Sequence, residues 1–388
     1  MPRHALLVPD LPQAHALLPW LERIDAQRQY ANFGPLVREL ESRLADWVGT
    51  LSTRGVDVVT LSSGTAALEL GLQAMHLPPG SRVLVPALTF PATALAVMRC
   101  GHQPVLTDVD PDRWTMTPEI ARAHASDAVI PVATYGLPLD APAWDAFTRE
   151  TGRPVLIDAA SALGWQAVGE TTAVAFSLHA TKPFGCGEGG LLVTAAPDLA
   201  EEVRRLSNFG FAQRQSVAPG TNAKMSEYAA AVALAQFARR EELLGRRRRL
   251  WNGYRTALDA IADATGLRRQ ANPDDVPASV LCVRLPADHS RPGRPPGDAG
   301  VGEDFDAPGS PAARIGAALA LLGIETRAWY CPPLHRHAGM AQAVRDTGLP
   351  VADALSGQLL GLPFHHFLNT PDIDEIVDSL RRTLLETY

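Results

Sequence analysis

Up to about residue 210, short continuous apolar runs alternate with stretches whose apolar positions recur every three or four residues. VDVVTL (56–61), RVLVP (82–86), PVLTDV (104–109), AVIPVATY (128–135), PVLIDAA (154–160) and VAFSL (174–178) read as strands. TAALELGLQAM (65–75), PATALAVMRCG (91–101), TPEIARAH (117–124) and APAWDAFTRETG (141–152) read as helices between them. Ahead of all these, NFGPLVRELESRLADWVG (32–49) predicts a further helix. Pro35 suits its first turn, Leu36, Leu40, Leu44 and Trp47 form one apolar stripe, and Gly49 closes it. Strands without polar alternation, linked by amphipathic helices, predict an α/β fold: a mainly parallel sheet covered by helices on both faces.

The texture changes after that. MSEYAAAVALAQFARREELLGRRRRLWNGYRTAL (225–258) predicts one long helix. SVLCVRL (279–285) and GIETRAWY (323–330) predict strands, and PAARIGAALALLG (311–323) and the tail from Pro371 predict helices. Residues 286–310 are rich in Pro, Gly and Asp and predict a loop. The expected organisation is a large α/β domain over 1–245 and a smaller α+β domain over 246–388.

Charge narrows the function classes. The net charge of −7 over 388 residues argues against a nucleic-acid binder. The basic run at 246–249 continues a helical pattern and reads as a solvated helix face. Four dispersed cysteines without a CxxC pair fit a reduced compartment. Pro and Asp interrupt the apolar N-terminus, so neither a signal peptide nor a membrane span is expected, and the expected location is the cytoplasm. His335, His337, His365 and His366 match no metal-ligand spacing, so no metal site is expected.

In a parallel sheet, ligands bind beyond the carboxyl ends of the strands. After VDVVTL stands SSGT, opening a helix: Ser63, Gly64 and Thr65 offer hydroxyls and free N–H groups to a phosphate, although the same residues also make an ordinary helix cap. Phe90 follows RVLVP, Asp158 closes PVLI, and Ser177 and His179 precede Lys182. The glycines of GCGEGG (185–190) let the chain pass close to the lysine. A phosphate cradle, a flat apolar ring, a buried carboxylate and a buried lysine are together what pyridoxal 5′-phosphate (PLP) requires. The lysine forms a Schiff base, and the carboxylate keeps the pyridine nitrogen protonated.

The segments NFGPLVRELE, LSSGTAALELGL, VLVPALTFPATA, PVLTDVD, VLIDAASALG, FSLHATKPFGCGEGG and GTNAKMSEYAAA resemble the DegT/StrS-type sugar aminotransferases, which are fold-type I PLP enzymes. The resemblance spans about residues 30–280 and continues weakly through YCPPLH (330–335). It implies that Lys182 is the Schiff-base lysine and Asp158 the pyridinium partner. It also implies that Phe90 stacks on the ring, that Gly64, Thr65 and Ser177 hold the phosphate, and that Asn222 reaches the phosphate of a second subunit in a homodimer. Ser161 stands where many members carry a longer His or Gln toward the cofactor's phenolic oxygen. Phe33, Gly34, His179, Lys224, Tyr330 and His335 fall at expected substrate positions. The implied reaction moves an amino group from L-glutamate to a keto sugar nucleotide. A cyclitol aminotransferase, a sugar dehydratase and a PLP-binding regulator are the other readings. Members with His in place of the lysine dehydrate, so Lys182 favours transamination.

Overall fold

The computed structural model describes residues 2–273, 276–287 and 309–387. Its large sheet contains β1 (Asp57–Leu61), β2 (Arg82–Pro86), β3 (Gln103–Thr107), β4 (Ala128–Val129), β5 (Leu156–Asp158), β6 (Ala173–Ser177) and β7 (Gly190–Thr194). Two four-stranded ladders, β1-β7-β6-β5 and Val344–Arg345 with β3-β2-β4, meet through parallel bridges at Val129–Val155 and Val132–Asp158. Neighbours run parallel throughout except β7, which is antiparallel to both β1 and β6. The carboxyl ends of β1, β2, β5 and β6 therefore share one edge, and β7 begins there.

Each face of this sheet buries a separate apolar cluster. One includes Leu36, Leu40 and Leu44 from the helix Pro35–Gly49, together with Ala230, Leu234 and Phe237 from the helix Glu227–Ala238. Trp47 completes the expected stripe with edge contacts to Phe184 at 4.9 Å and Phe237 at 5.7 Å. The other face packs the helices Gly64–Gln73, Ala92–Arg99 and Pro197–Leu206. Burial of each such Leu or Phe contributes about 1.5–3 kcal/mol.

Several elements differ from their sequence patterns. AVIPVATY is a strand only at Ala128–Val129; Pro131 has no N–H to donate, and Tyr135 takes φ 58° in a turn. The long helix breaks at Arg239 into Glu227–Ala238 and Arg240–Thr265. GIETRAWY contributes only Arg327–Ala328 to a second sheet, an antiparallel ladder with Arg268–Arg269, Cys282–Arg284 and Leu359–Gly361. Position 245 lies inside the continuous helix Arg240–Thr265, and the N-terminal arm bonds to the second sheet's neighbourhood through Leu6 and Glu325. A helix at Ala14–Gln27, with Pro19 inside it, lies in the N-terminal segment, for which the sequence pattern predicted no element. Most of the Pro/Gly-rich stretch 286–310 lies outside the described residues. The run 246–249 is not uniformly solvated: Arg247 is buried, and Arg248 lies over the Trp165 ring at 4.9 Å. No described helix is long and apolar enough to cross a membrane.

Glu227 ties the helix Pro35–Gly49 to the helix Glu227–Ala238. Pro35 sits at its start, and the next two N–H groups, of Leu36 and Val37, donate to the buried Glu227 carboxylate at 2.9 Å each. A Cβ on Gly34 would stand 2.5 Å from the same carboxyl, so only glycine fits the entry turn. Glu227→Ala should lower unfolding free energy by about 3 kcal/mol, since two charge-assisted bonds vanish and two buried donors are orphaned. Denaturant unfolding checks this; an unchanged midpoint would mean that water replaces the carboxylate.

Candidate active site

The shared strand edge brings the predicted residues together. Ser63 caps the helix Gly64–Gln73, its Oγ accepting from Ala66 N at 3.0 Å. The intrahelical ladder starts with Ala67 N to Ser63 O at 3.1 Å, so the N–H groups of Gly64 and Thr65 precede it. A Cβ on Gly64 would lie 2.9 Å from Ser177 Cβ, which places the helix start directly against the end of β6. A Cβ on Gly190 would overlap the Ser63 carbonyl. Two backbone N–H groups, the Thr65 hydroxyl and Ser177 thus border one small space at a positive helix end.

Asp158 ends β5 and is 5% exposed. Thr93 Oγ1 donates to its Oδ2 at 2.8 Å, and Ala160 N donates to Oδ1 at 3.1 Å. Burial raises the carboxyl above its ordinary pKa, while Thr93, Ala160 and Lys182 oppose the rise. Lys182 rides a loop closed by Ala180 N to Gly187 O at 2.8 Å and Cys186 N to Leu178 O at 2.8 Å. Its Nζ donates to Ser161 Oγ at 2.8 Å. Burial lowers the ammonium's pKa, and Asp158 works against that. Cys186, next on the loop, is pushed up to about 12 by burial and stays a thiol.

Phe90 leaves β2 with 61% of its surface exposed, unusual for a large apolar ring beside a core strand. Tyr330 lies 6.5 Å from it and stacks on Tyr135 at 5.5 Å and 14°. Burial, with Cys282 and Asp158 nearby, pushes the Tyr330 hydroxyl's pKa up. His335 comes beside β2 through Leu334 N to Ala87 O at 2.9 Å, and its Nε2 meets Asp353 Oδ1 at 3.0 Å.

The remaining expected residues lie further out. His179 Nδ1 bonds Thr181 Oγ1 at 2.9 Å on the surface. Asn222 is exposed, and its Oδ1 accepts from Lys224 Nζ at 2.7 Å; Lys224 also sits over the Phe209 ring at 4.8 Å. This strip runs beside the cradle, since Ser62 N donates to Ala223 O at 2.8 Å. Phe33 and Gly34 stand at the Glu227 turn, with Arg204 5.8 Å from the Phe33 ring. No described hydrogen bond or ring contact joins them to Lys182. Sequence reasoning missed Thr93, Tyr135 and the role of Gly190. A hydroxyl two residues into the helix after Phe90 was the available signal for Thr93.

The matched chemistry is decided by comparison with known proteins. The model of the DegT/DnrJ/EryC1/StrS aminotransferase family matches residues 15–293 and 307–381. The chain belongs to this family. Protein MT3510 of Mycobacterium tuberculosis is 30% identical, over 98% of this chain and 90% of that protein. The UDP-2-acetamido-2-deoxy-3-oxo-D-glucuronate aminotransferase of Pseudomonas aeruginosa is 29% identical, over 93% of this chain and 94% of its own length. The structure of DesI determined in the presence of its TDP-sugar product superposes with a TM-score of 0.84 at 30% identity, covering 100% of this chain and 94% of that one. The fold is that of fold-type I PLP-dependent aminotransferases, and the protein is a PLP-dependent aminotransferase.

The residues present fit PLP. The cradle at Gly64, Thr65 and Ser177 suits the phosphate, the open Phe90 face suits the ring, and Lys182 lies within the field of Asp158. A protonated ring nitrogen beside Asp158 would offset the burial that raises its pKa. Asp158→Asn therefore separates two effects. Without cofactor, the variant should be at least as stable as wild type at neutral pH. Asp158 has a raised folded pKa, so its ionised form opposes folding; the variant's advantage should vanish below about pH 4 and grow as pH rises. With cofactor, the amino-transfer rate should fall by about 10²-fold or more. Thermal melts across pH and single-turnover rates check both; a variant that transfers amino groups at the wild-type rate would make Asp158 a purely structural acid.

Proposed function

We propose that this aminotransferase moves an amino group from L-glutamate to the ketone of a sugar nucleotide, in homodimers that share their active sites. The observation that carries the reading is Lys182, bonded to Ser161 and influenced by Asp158, on the strand edge that also holds the helix start at Gly64. Two of the similar proteins named above act on a UDP-sugar or bind a TDP-sugar, which supports a nucleotide-linked acceptor and leaves the base open.

Bound PLP supplies the electron sink for the transfer. The chain's residues do the rest. Ser177 and the N–H groups of Gly64 and Thr65 anchor the phosphate. Phe90 would lie against the ring. Thr93 donates to Asp158 and holds its carboxylate in place, where it would keep a ring nitrogen protonated. Lys182 would hold the cofactor, and its Nζ, when free, would take the proton from the donor's Cα. Burial favours the neutral amine that this proton transfer needs. Ser161 aims that amine.

Purified protein should be yellow, and borohydride should fix the cofactor to the peptide containing residue 182. Lys182→Ala should lower turnover by about 10⁴-fold. After preloading with glutamate, the original absorbance should return with one class of 3-keto or 4-keto sugar linked to dTDP, UDP, GDP or CDP, and far more weakly with the free sugar. Recovery with a keto cyclitol alone would move the acceptor outside sugar nucleotides. A sugar deoxygenated without keto-acid release would make the enzyme a dehydratase.

A second copy has an available surface. Tyr30 and Tyr228 stack at 6.0 Å, and with Phe209, Phe211 and Val217 they are large apolar side chains left exposed around the Asn222–Lys224 strip. Covering them would carry Asn222 toward the other subunit's phosphate site. In mixtures of Lys182→Ala and Asn222→Ala chains, each hybrid then holds one site with both defects and one intact site. Activity above that of either parent is expected; none, with subunit exchange proven by mass, would place Asn222 in its own subunit's site.

A further inference from the structure

Residues 2–10 belong to no helix or strand, yet hydrogen bonds fasten this arm at both ends. At the first end, His4 N donates to Gly323 O at 3.0 Å, and its carbonyl accepts from Glu325 N at 2.9 Å. Arg3 adds an ion pair to Glu375 at 2.6 Å, and Leu6 N donates to Glu325 Oε2 at 2.9 Å. At the second end, side chains from separate parts of the chain converge on Asp10. Gln236 Nε2 donates to its carbonyl at 2.6 Å, Arg239 donates to its carboxylate at 3.2 Å, and His366 Nδ1 meets Oδ2 at 2.9 Å.

The charge states suit this second fastening. The Asp10 and His366 side chains are 12% and 5% exposed. Burial opposes the Asp10 charge, but His366 and Arg239 outweigh it and hold the carboxyl below its ordinary pKa. Burial, with Arg247 nearby, holds the His366 imidazole below its own, so the ring is uncharged at neutral pH. Facing a carboxylate, Nδ1 carries the one ring proton and donates it to Asp10.

The Lys182 loop needs support that its own bonds do not supply. Among the described residues, every backbone hydrogen bond of residues 180–186 closes within 178–189. Packing must therefore hold the loop against the rest of the protein. Phe184 meets Trp47 at 4.9 Å on one flank. Elsewhere, residues 7–10 and 180–183 line a shared cavity of about 20 Å³, together with His366. That is room for about one water, so the space is a seam between two neighbouring segments and admits no substrate. A segment pinned at both ends keeps few conformations, which makes residues 7–10 a stiff backing for the loop.

We propose that the arm is a strap that positions the Lys182 loop, with Asp10 and His366 as the positioning residues that keep it fastened. Neither needs to touch the reacting atoms; their effect passes through residues 7–10 to the loop. A displacement of about 1 Å in a reacting group can slow a reaction about 10²-fold, so a loosened strap should slow proton transfer rather than weaken binding. The assignment rests on Lys182 being the reactive amine of the aminotransferase reading.

Amide hydrogen exchange of residues 178–187 and single-turnover conversion by glutamate, both on the holoenzyme, test it. Asp10→Asn keeps the side chain's shape but places an N–H group where two donors already point. Exchange in 178–187 should quicken by about 10-fold or more, with the helix Ala92–Arg99 unchanged. The single turnover should slow by about 10–100-fold, while half-saturating glutamate stays within about threefold of wild type. His366→Leu should reproduce both effects. His366→Asn, whose amide N–H can stand in for Nδ1, should bring both back to within about threefold of wild type. Asp10→Asn with His366→Leu should be no worse than either change alone, because both release the same fastening. Wild-type exchange in the loop of Asp10→Asn overturns the proposal. Quicker exchange along the whole chain with an unchanged single turnover also overturns it, since the arm would then add only general stability. A rise in half-saturating glutamate at an unchanged rate overturns it as well, being lost binding. Should Asp10→Asn fail to fold, Arg239→Met spares the Gln236 and His366 bonds and is judged by the same measures. Wild-type protein that no amino acid converts would sink the aminotransferase reading itself, and exchange in 178–187 would still decide whether the arm holds the loop.

Discussion

The carboxyl edge of the large sheet has no room for a side chain at residue 190. There β7 turns back between β1 and β6, and Gly190 lies against the Ser63 carbonyl while pairing with Leu61 and Ser177. Gly64 also meets Ser177 closely from the helix side. These two contacts bring a helix N-terminus, a strand end and the Lys182 loop to one point. A methyl group at either position would push the helix start at Gly64 away from the strand ends and the Lys182 loop.

Electrostatics then works by exclusion of water. Asp158 is pushed toward protonation and Lys182 toward neutrality, each by burial, and each partly restrained by the other. Such a pair is poorly balanced alone, and a bound group carrying positive charge beside Asp158 would offset the imbalance. The apolar clusters on both faces sustain this low-dielectric setting. Trp47 against Phe184 shows the link: the stripe of the helix Pro35–Gly49 packs on the residue two positions beyond Lys182. Glu227, fastening that helix, supports the lysine loop from behind.

Much of the site was legible because each chemical group follows directly on an apolar strand. The strand pattern and the rule that ligands gather at carboxyl ends were enough to group Ser63, Gly64, Phe90, Asp158, Ser177 and Lys182 at one edge; their individual roles came from the family resemblance. Thr93 was hidden because its partner is 65 residues away, and a helix-start threonine has many local uses. Tyr135 was hidden by its strand-like neighbours, although Pro131 interrupts them. The run at 246–249 misled for a similar reason: four consecutive arginines point around the whole helix, and only packing chose which one turned inward.

By itself the sequence determined the α/β alternation, the apolar faces of the helices, and the residue types that PLP chemistry requires. Those depend on periodicity and composition along short stretches of chain. Tertiary structure alone decided that β7 runs antiparallel, that Ser161 meets Lys182 and that Arg247 is buried. Each of these joins residues distant in the chain through backbone approach or exclusion of water. A local pattern carries no information on which distant atoms will fill that space.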